Sequence, residues 1–127
     1  MGTHGSFATA VNCMDGRAQL PVIHWLKDTY HVDYVDMITD PGPIKILSEN
    51  TDIASVESIK KRVAISTDKH GSKNIAIVGH YDCAGNPVNR ETQVNQVSCS
   101  IQLVRSWNNN VSVIGLWVDE DWIVHTI

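Results

Sequence analysis

No stretch of this sequence approaches the roughly 20 consecutive apolar residues that a bilayer-spanning helix needs, so no membrane association is expected. Basic residues are also few. Ten Lys and Arg stand against fourteen Asp and Glu, a formal net charge of −4, whereas a nucleic-acid binder needs a concentrated basic surface. The one short basic cluster, Lys60, Lys61 and Arg62, reads as a solvated helix face. The first residues, "MGTHGSFATAV", carry neither a basic segment nor a long apolar one, so no secretory signal is expected there. Cysteine is scarce and odd in number, with three residues. That count argues against a disulfide framework and for free or metal-bound thiols in a reducing compartment, so the cytoplasm is the expected location. There is no internal repeat and no low-complexity tract. A length of 127 residues suits a single domain, 1–127, with one core.

What is present is an alternation of short apolar runs with amphipathic stretches. "FATAVN" (7–12) suits a buried strand, and "LPVIHWLKDT" (20–29) a helix with Pro21 in its first turn, where a missing N–H costs little. "YVDMIT" (34–39) reads as a second strand running into "DPGP" (40–43), which forces a loop. Thr51 or Asp52 can cap a long helix in which Ile53, Val56, Ile59 or Lys60, and Val63 trace one face and which Gly71 ends. "NIAIVG" (74–79) is the clearest strand, apolar almost throughout, as in strands buried on both faces of a parallel sheet. Val94, Val97, Ile101 and Val104 mark another helix over about 91–107, broken by "NNN" at 108–110. "VSVIGLWV" and "WIVHTI" are two further strands joined by "DED" at 119–121. The order β-α-β-α-β-α-β-β predicts an α/β fold with a mainly parallel sheet flanked by helices, whose sites form beyond the carboxyl ends of strands.

Two chemically loaded segments fall at such ends. "CMDGR" (13–17) follows the first strand and "HYDCAGNP" (80–87) follows the third. His80-x-x-Cys83 can present an imidazole and a thiolate from one turn, and Cys13 adds a second thiolate if strands one and three are neighbours. One His and two Cys suit Zn²⁺, and three protein ligands leave a fourth tetrahedral position for water, the mark of a catalytic site. Arg17 can hold the Asp15 carboxylate through paired hydrogen bonds. That carboxylate can accept a hydrogen bond from metal-bound water, or swing in and occupy the open position.

"CMDGR" resembles the Cys-x-Asp-x-Arg motif of β-class carbonic anhydrases, and "GHYDCAG" resembles their Gly-His-x-x-Cys-Gly motif. The resemblance runs from the first strand through "VIGLWVD". It implies a β-carbonic anhydrase-like fold, zinc bound by Cys13, His80 and Cys83, and a catalytic water oriented by Asp15 and Arg17. The implied reaction is hydration of CO2 to bicarbonate by a metal-bound hydroxide. Alternatives are hydrolysis of a CO2 analogue, carbonyl sulfide or carbon disulfide, at the same zinc, or a non-catalytic zinc-binding relative. The family also implies a homodimer or higher homo-oligomer, here with a reduced interface. The chain departs from the family pattern in three places: Gly16 replaces Ser, Ala84 stands before Gly85, and Thr39-Asp40-Pro41-Gly42 replaces Arg-x-Ala-Gly.

The remaining candidates read more simply. Cys99 lacks a partner motif and suits core or inert surface. Asp82 is either a neighbour of the site or a solvated loop carboxylate. His24, His31, His70 and His125 lack ligand spacing, and His70 suits a helix C-terminus. Trp25, Trp107, Trp117 and Trp122 read as core or interface aromatics, and "DPGP" as a rigid turn or a pocket wall.

Overall fold

A computed structural model describes residues 5–108 and 110–127, so the expected break at 108–110 is seen only at its two ends, Asn109 lying outside the described residues. The elements are β1 (Phe7–Cys13), α1 (Gln19–Tyr30), β2 (Tyr34–Asp40), α2 (Pro43–Glu49), α3 (Ile53–Ala64), β3 (Asn74–His80), α4 (Arg90–Arg105), β4 (Ser112–Val118) and β5 (Val124–Thr126). They build one five-stranded sheet in the order β2-β1-β3-β4-β5. The first four strands are parallel and β5 runs antiparallel to β4. This is the mainly parallel α/β architecture that the alternation of elements predicts.

The pleat sorts the side chains into two apolar layers. Val11, Ile75 and Ile77 face α2, α3 and α4, packing with Ile44, Leu47, Ile59 and Val97. Ala8, Ala10, Ala76 and Val78 face the other way, against Val22 and Leu26 of α1. Small alanines on that face let one helix approach the sheet closely, while larger Ile and Val fill the broader layer beneath three helices.

The observed elements depart from the sequence reading in four places. The loop expected at "DPGP" shrinks to Pro41 and Gly42, because Asp40 ends β2 and Pro43 starts α2 at its first position, where proline's fixed φ is already helical. Asp52, one of the two caps expected, does cap α3, its carboxylate accepting from the Ser55 amide at 3.2 Å. Ile53 is nevertheless exposed, so the buried stripe begins at Val56. After Ala64 the backbone widens into a π turn, Ile65–Lys69, closed by His70 and by Gly71 at φ +71°. The last strand is only Val124–Thr126, and Trp122 and Ile123 belong to the turn before it.

β1 and β3 are neighbours, paired Thr9 to Ile75 through Val11 to Ile77. Continuing that register places Cys13 beside Gly79, one residue short of His80. Parallel pairing therefore brings two segments about seventy residues apart in the chain to the same end of the sheet.

Candidate metal centre

The turn after β1 is shaped by Asn12, which is fully buried. Its amide nitrogen donates to the Ala18 carbonyl at 3.1 Å, and its oxygen accepts from the Cys13 amide at 2.9 Å. The Asp15 carboxylate caps the single 3-10 turn Gly16–Ala18 by accepting from the Arg17 amide at 2.9 Å. The Cys13 carbonyl accepts from the Gln19 side chain. After β3, Tyr81 donates its amide to the Val118 carbonyl at 2.9 Å, and Asp82 takes a left-handed backbone conformation, φ +58°, that turns Cys83 back toward the sheet.

These turns bring Cys13, His80 and Cys83 together, all three buried, with one donor atom from each lying within 4.8 Å of the others. The two sulfurs are 3.8 Å apart and not bonded to one another. Two sulfurs each about 2.3 Å from one tetrahedral ion stand about 3.8 Å apart, so the spacing fits Zn²⁺. The His80 imidazole uses Nδ1 on the Tyr81 carbonyl at 2.8 Å. That leaves Nε2 buried with no hydrogen-bond partner. A buried polar atom left without a partner is costly. A metal ion bound at Nε2 removes that cost.

The electrostatics point the same way. Hydrogen bonding from Cys83 pulls the Cys13 thiol down to about 4 against the opposing effect of burial, with further help from His80 and the backbone of Gly42 and Asp15. The Cys83 thiol is pushed up, first by its hydrogen bond to Cys13 and then by burial. For His80, burial lowers the pKa, but the neighbouring Cys13 thiol and the hydrogen bond to the Tyr81 carbonyl outweigh it and the net shift is upward. A thiolate favoured at Cys13, facing a thiol and an imidazole whose protons are held more tightly, is a donor set that a cation can join by displacing those protons.

Two more elements close around this centre. Gly42 and Gly85 let the "DPGP" loop and the Cys83 loop touch. A Cβ on Gly85 would lie 2.7 Å from the Pro41 carbonyl carbon, and one on Gly42 would lie 2.8 Å from the Asn86 Cβ. The "DPGP" turn is thus a wall of the site as well as a rigid turn. Asp40 in it pairs with Arg62 of α3 at 2.8 Å.

Gln93 of α4, buried to 1 % exposure, grips the backbone of His80 at both ends. Its Oε1 accepts from the His80 amide at 3.1 Å and its Nε2 donates to the His80 carbonyl at 2.8 Å.

Asp15 and Arg17 lie beside the three donors. Arg17 Nε and Nη2 donate to the two Asp15 oxygens at 3.0 and 2.7 Å. That pairing holds the Asp15 carboxyl at about 2, well below the usual carboxylate range, and raises the Arg17 guanidinium. Arg17 also reaches across to the second turn, to the Asp82 carboxylate at 3.4 Å and its carbonyl at 3.2 Å. Asp82 is thus a neighbour of the site through Arg17, with most of its side chain in solvent. A cleft of about 510 Å³ opens next to Cys83, lined by Tyr81, Val88, Arg90 and Glu120 among others.

The other residues singled out in the sequence lie elsewhere. Cys99 is exposed on α4. His70 closes the π turn, stacks on Phe7 and meets Asp36 at 2.7 Å. His125 meets Asp119 at 2.6 Å. His24 and His31 are exposed. Asn12 and Gln93 carry no signal in the sequence, because a buried amide that braces a neighbouring turn or strand end looks like any polar residue.

A family model described as "Putative carbonic anhydrase" matches residues 3–127. Among solved structures, β-carbonic anhydrase isoform I of Trichomonas vaginalis is similar, with a TM-score of 0.63 at 18% identity over 94% of this chain and 81% of that one. The carbonic anhydrase of Streptococcus mutans follows with a TM-score of 0.62 at 14% identity, covering 94% of this chain and 80% of that one. The β-carbonic anhydrase of Aspergillus fumigatus has a TM-score of 0.51 at 14% identity, over 98% of this chain and 76% of that one. No curated protein matches in sequence.

Proposed function

The chain belongs to this carbonic anhydrase family, and from that premise we propose that it hydrates CO2 to bicarbonate at a Zn²⁺ ion held by Cys13, His80 and Cys83 within a single domain of residues 1–127. The observation that carries the reading is the convergence of these three buried donors beside a carboxylate locked by an arginine. Zinc bound there supplies a Lewis acid that brings the pKa of water toward neutrality.

The chain's own residues do the rest. Cys13, His80 and Cys83 would hold the ion through three donors, which would leave it open to a water. Gln93 and the Tyr81 carbonyl keep His80 in place and fix its tautomer, with the proton on Nδ1 and Nε2 toward the centre. Asp15, catalytic in this reading, accepts a hydrogen bond from the attacking water and so aims its lone pair at the carbon of CO2. With its carboxyl at about 2, Asp15 is too weak a base to keep a proton near neutral pH. Its role is therefore orientation, and the proton released with bicarbonate passes to buffer. Arg17, catalytic with it, keeps both Asp15 oxygens from turning away.

Among the described residues no helix is long and apolar enough to cross a membrane. The free thiols support a reducing, cytoplasmic setting, because two sulfurs this close invite oxidation elsewhere. β2 leaves a seven-residue strand at the sheet edge, with Tyr34 exposed on it, which supports a homodimer. Analytical ultracentrifugation at micromolar concentration tests the dimer. Zinc content together with CO2 turnover tests the reaction: one zinc per chain with turnover is expected, and both are lost in Cys83→Ser.

A further inference from the structure

Arg17 has an unusual task for its surroundings. Its side chain is 47% exposed, yet it must hold one orientation toward Asp15. A long exposed side chain loses rotamer entropy when it is fixed, and an ion pair open to water is a weak restraint. The hydrogen bonds to Asp15 and the longer ones to Asp82 hold the edge of the guanidinium and leave its flat faces unheld.

One of those faces is covered. The Arg17 guanidinium carbon lies 4.5 Å from the centroid of the Trp122 ring. The same ring lies 6.4 Å from the His80 imidazole. Trp122 comes from neither ligand turn but from the β4–β5 connection. Its backbone is left-handed, φ +62°, a conformation that bulky residues rarely adopt. Such a conformation persists only where its surroundings impose it.

Asp119 imposes it here. One Asp119 carboxylate oxygen accepts from the amides of Asp121 at 2.9 Å and Ile123 at 3.0 Å. The other meets His125 Nε2 at 2.6 Å. The Trp122 amide donates to the Asp119 carbonyl at 3.0 Å, and the Asp119 amide donates to the Ile123 carbonyl at 3.0 Å. Five hydrogen bonds thus converge on one residue to hold a strained turn whose outward product is an indole over Arg17.

We propose that Trp122 is a positioning residue for the reaction proposed above: its indole face clamps the Arg17 guanidinium in the plane that presents two N–H groups to Asp15, and the Asp119-centred turn is the brace. This rests on the reading of Asp15 and Arg17 as the pair that orients water. A cation over an indole face gains attraction that an aliphatic side chain of similar bulk cannot supply. The site therefore has a further wall, from the β4–β5 hairpin, in addition to the two ligand turns and the "DPGP" turn.

The test compares zinc-loaded wild type, Trp122→Phe and Trp122→Leu by NMR of arginine Nε–H groups and by CO2 hydration. The Arg17 signal is assigned by its loss in Arg17→Lys. In wild type, the Arg17 side-chain protons should lie upfield of those of Arg62 and Arg105 through the indole ring current, with slow Nε–H exchange. Trp122→Leu should keep zinc, lose the upfield shift and speed Nε–H exchange. Its kcat should fall by roughly fivefold to thirtyfold with KM little changed, and Trp122→Phe should recover most of both. A folded Trp122→Leu with unchanged Arg17 exchange and unchanged kcat overturns the proposal. Should that variant not fold, a wild-type Arg17 without the upfield shift overturns it equally. The Arg17 spectra need no turnover, so failure of the CO2 reading and failure of the clamp are told apart.

Discussion

Arg17 and Asp15 meet through two parallel N–H···O bonds, 3.0 Å from Nε and 2.7 Å from Nη2, while a third bond joins the Arg17 amide to the same carboxylate at 2.9 Å. Three donors from one residue leave the carboxylate little freedom to rotate. If its role is to orient water, Asp15→Asn should keep zinc and lose activity on the order of 10- to 100-fold. Metal analysis beside CO2 hydration checks this, and full activity in the variant would remove Asp15 from the mechanism.

The same pair sets a pH expectation. Arg17 depresses the Asp15 carboxyl to about 2 in the folded chain, below its unfolded value of roughly 3.9. A depressed folded pKa stabilises the fold above the unfolded pKa, and the contribution is lost as pH falls through the folded one. The loss therefore belongs to the window from about pH 4 down to about 2. Asp15 is ionised throughout the neutral range and adds no step to a pH–rate profile there. A carbon-detected NMR titration should find the Asp15 carboxyl shift flat down to about pH 4.

Gln93 satisfies two buried backbone groups of His80 at once. Gln93→Leu keeps the bulk and orphans both groups, each at about 1–3 kcal/mol. We expect a loss of about 2–6 kcal/mol in stability by urea unfolding and weaker zinc retention against a chelator. Unchanged retention would mean that His80 is held by its strand alone.

Gly85 and Gly42 mark the contact between the "DPGP" turn and the Cys83 turn. Gly85→Ala places a methyl group against the backbone of Pro41, where no flexible side chain can yield. The two turns must then separate, at a cost of about 1–3 kcal/mol. Gly16 has nothing within 4 Å of its would-be Cβ. Gly16→Ser should therefore be tolerated, with a melting temperature close to that of wild type. Thermal melts of the two variants check the contrast.

Thiol chemistry separates the three cysteines. Cys99 is exposed, whereas Cys13 and Cys83 are buried and face each other at 3.8 Å. With zinc present, a thiol reagent should modify Cys99 quickly and spare the other two. After chelation, mild oxidant should join Cys13 to Cys83, since only a small movement brings them to bonding distance. Mass spectrometry of the modified chain reads both results.

The motifs "CMDGR" and "GHYDCAG" pointed to the Cys13, His80 and Cys83 cluster because metal binding needs particular atoms at particular spacings, and such atoms are visible as letters. The mainly parallel sheet was legible for a similar reason, since apolar runs alternate with helical periods, whereas the pairing of β1 with β3 stood only as a condition until the structure gave the strand order. What was not legible depends on context. α2 begins on the second proline of "DPGP", a run that signals only a loop, and it turns helical because Pro43 falls in the first turn, where proline fits. On α4 the buried stripe includes Gln93 and Ser100 as well as Val97 and Val104, so apolar periodicity understates the core face. Trp122 read as a core or interface aromatic, since nothing in its neighbours tells that a strained turn aims it at Arg17.

The most direct measurement is stopped-flow CO2 hydration by zinc-quantified protein between about pH 6 and 9, with Cys83→Ser alongside. The account predicts turnover that rises with pH in the wild type and vanishes, with the zinc, in the variant. Stoichiometric zinc without CO2 turnover at any pH in that range would contradict it.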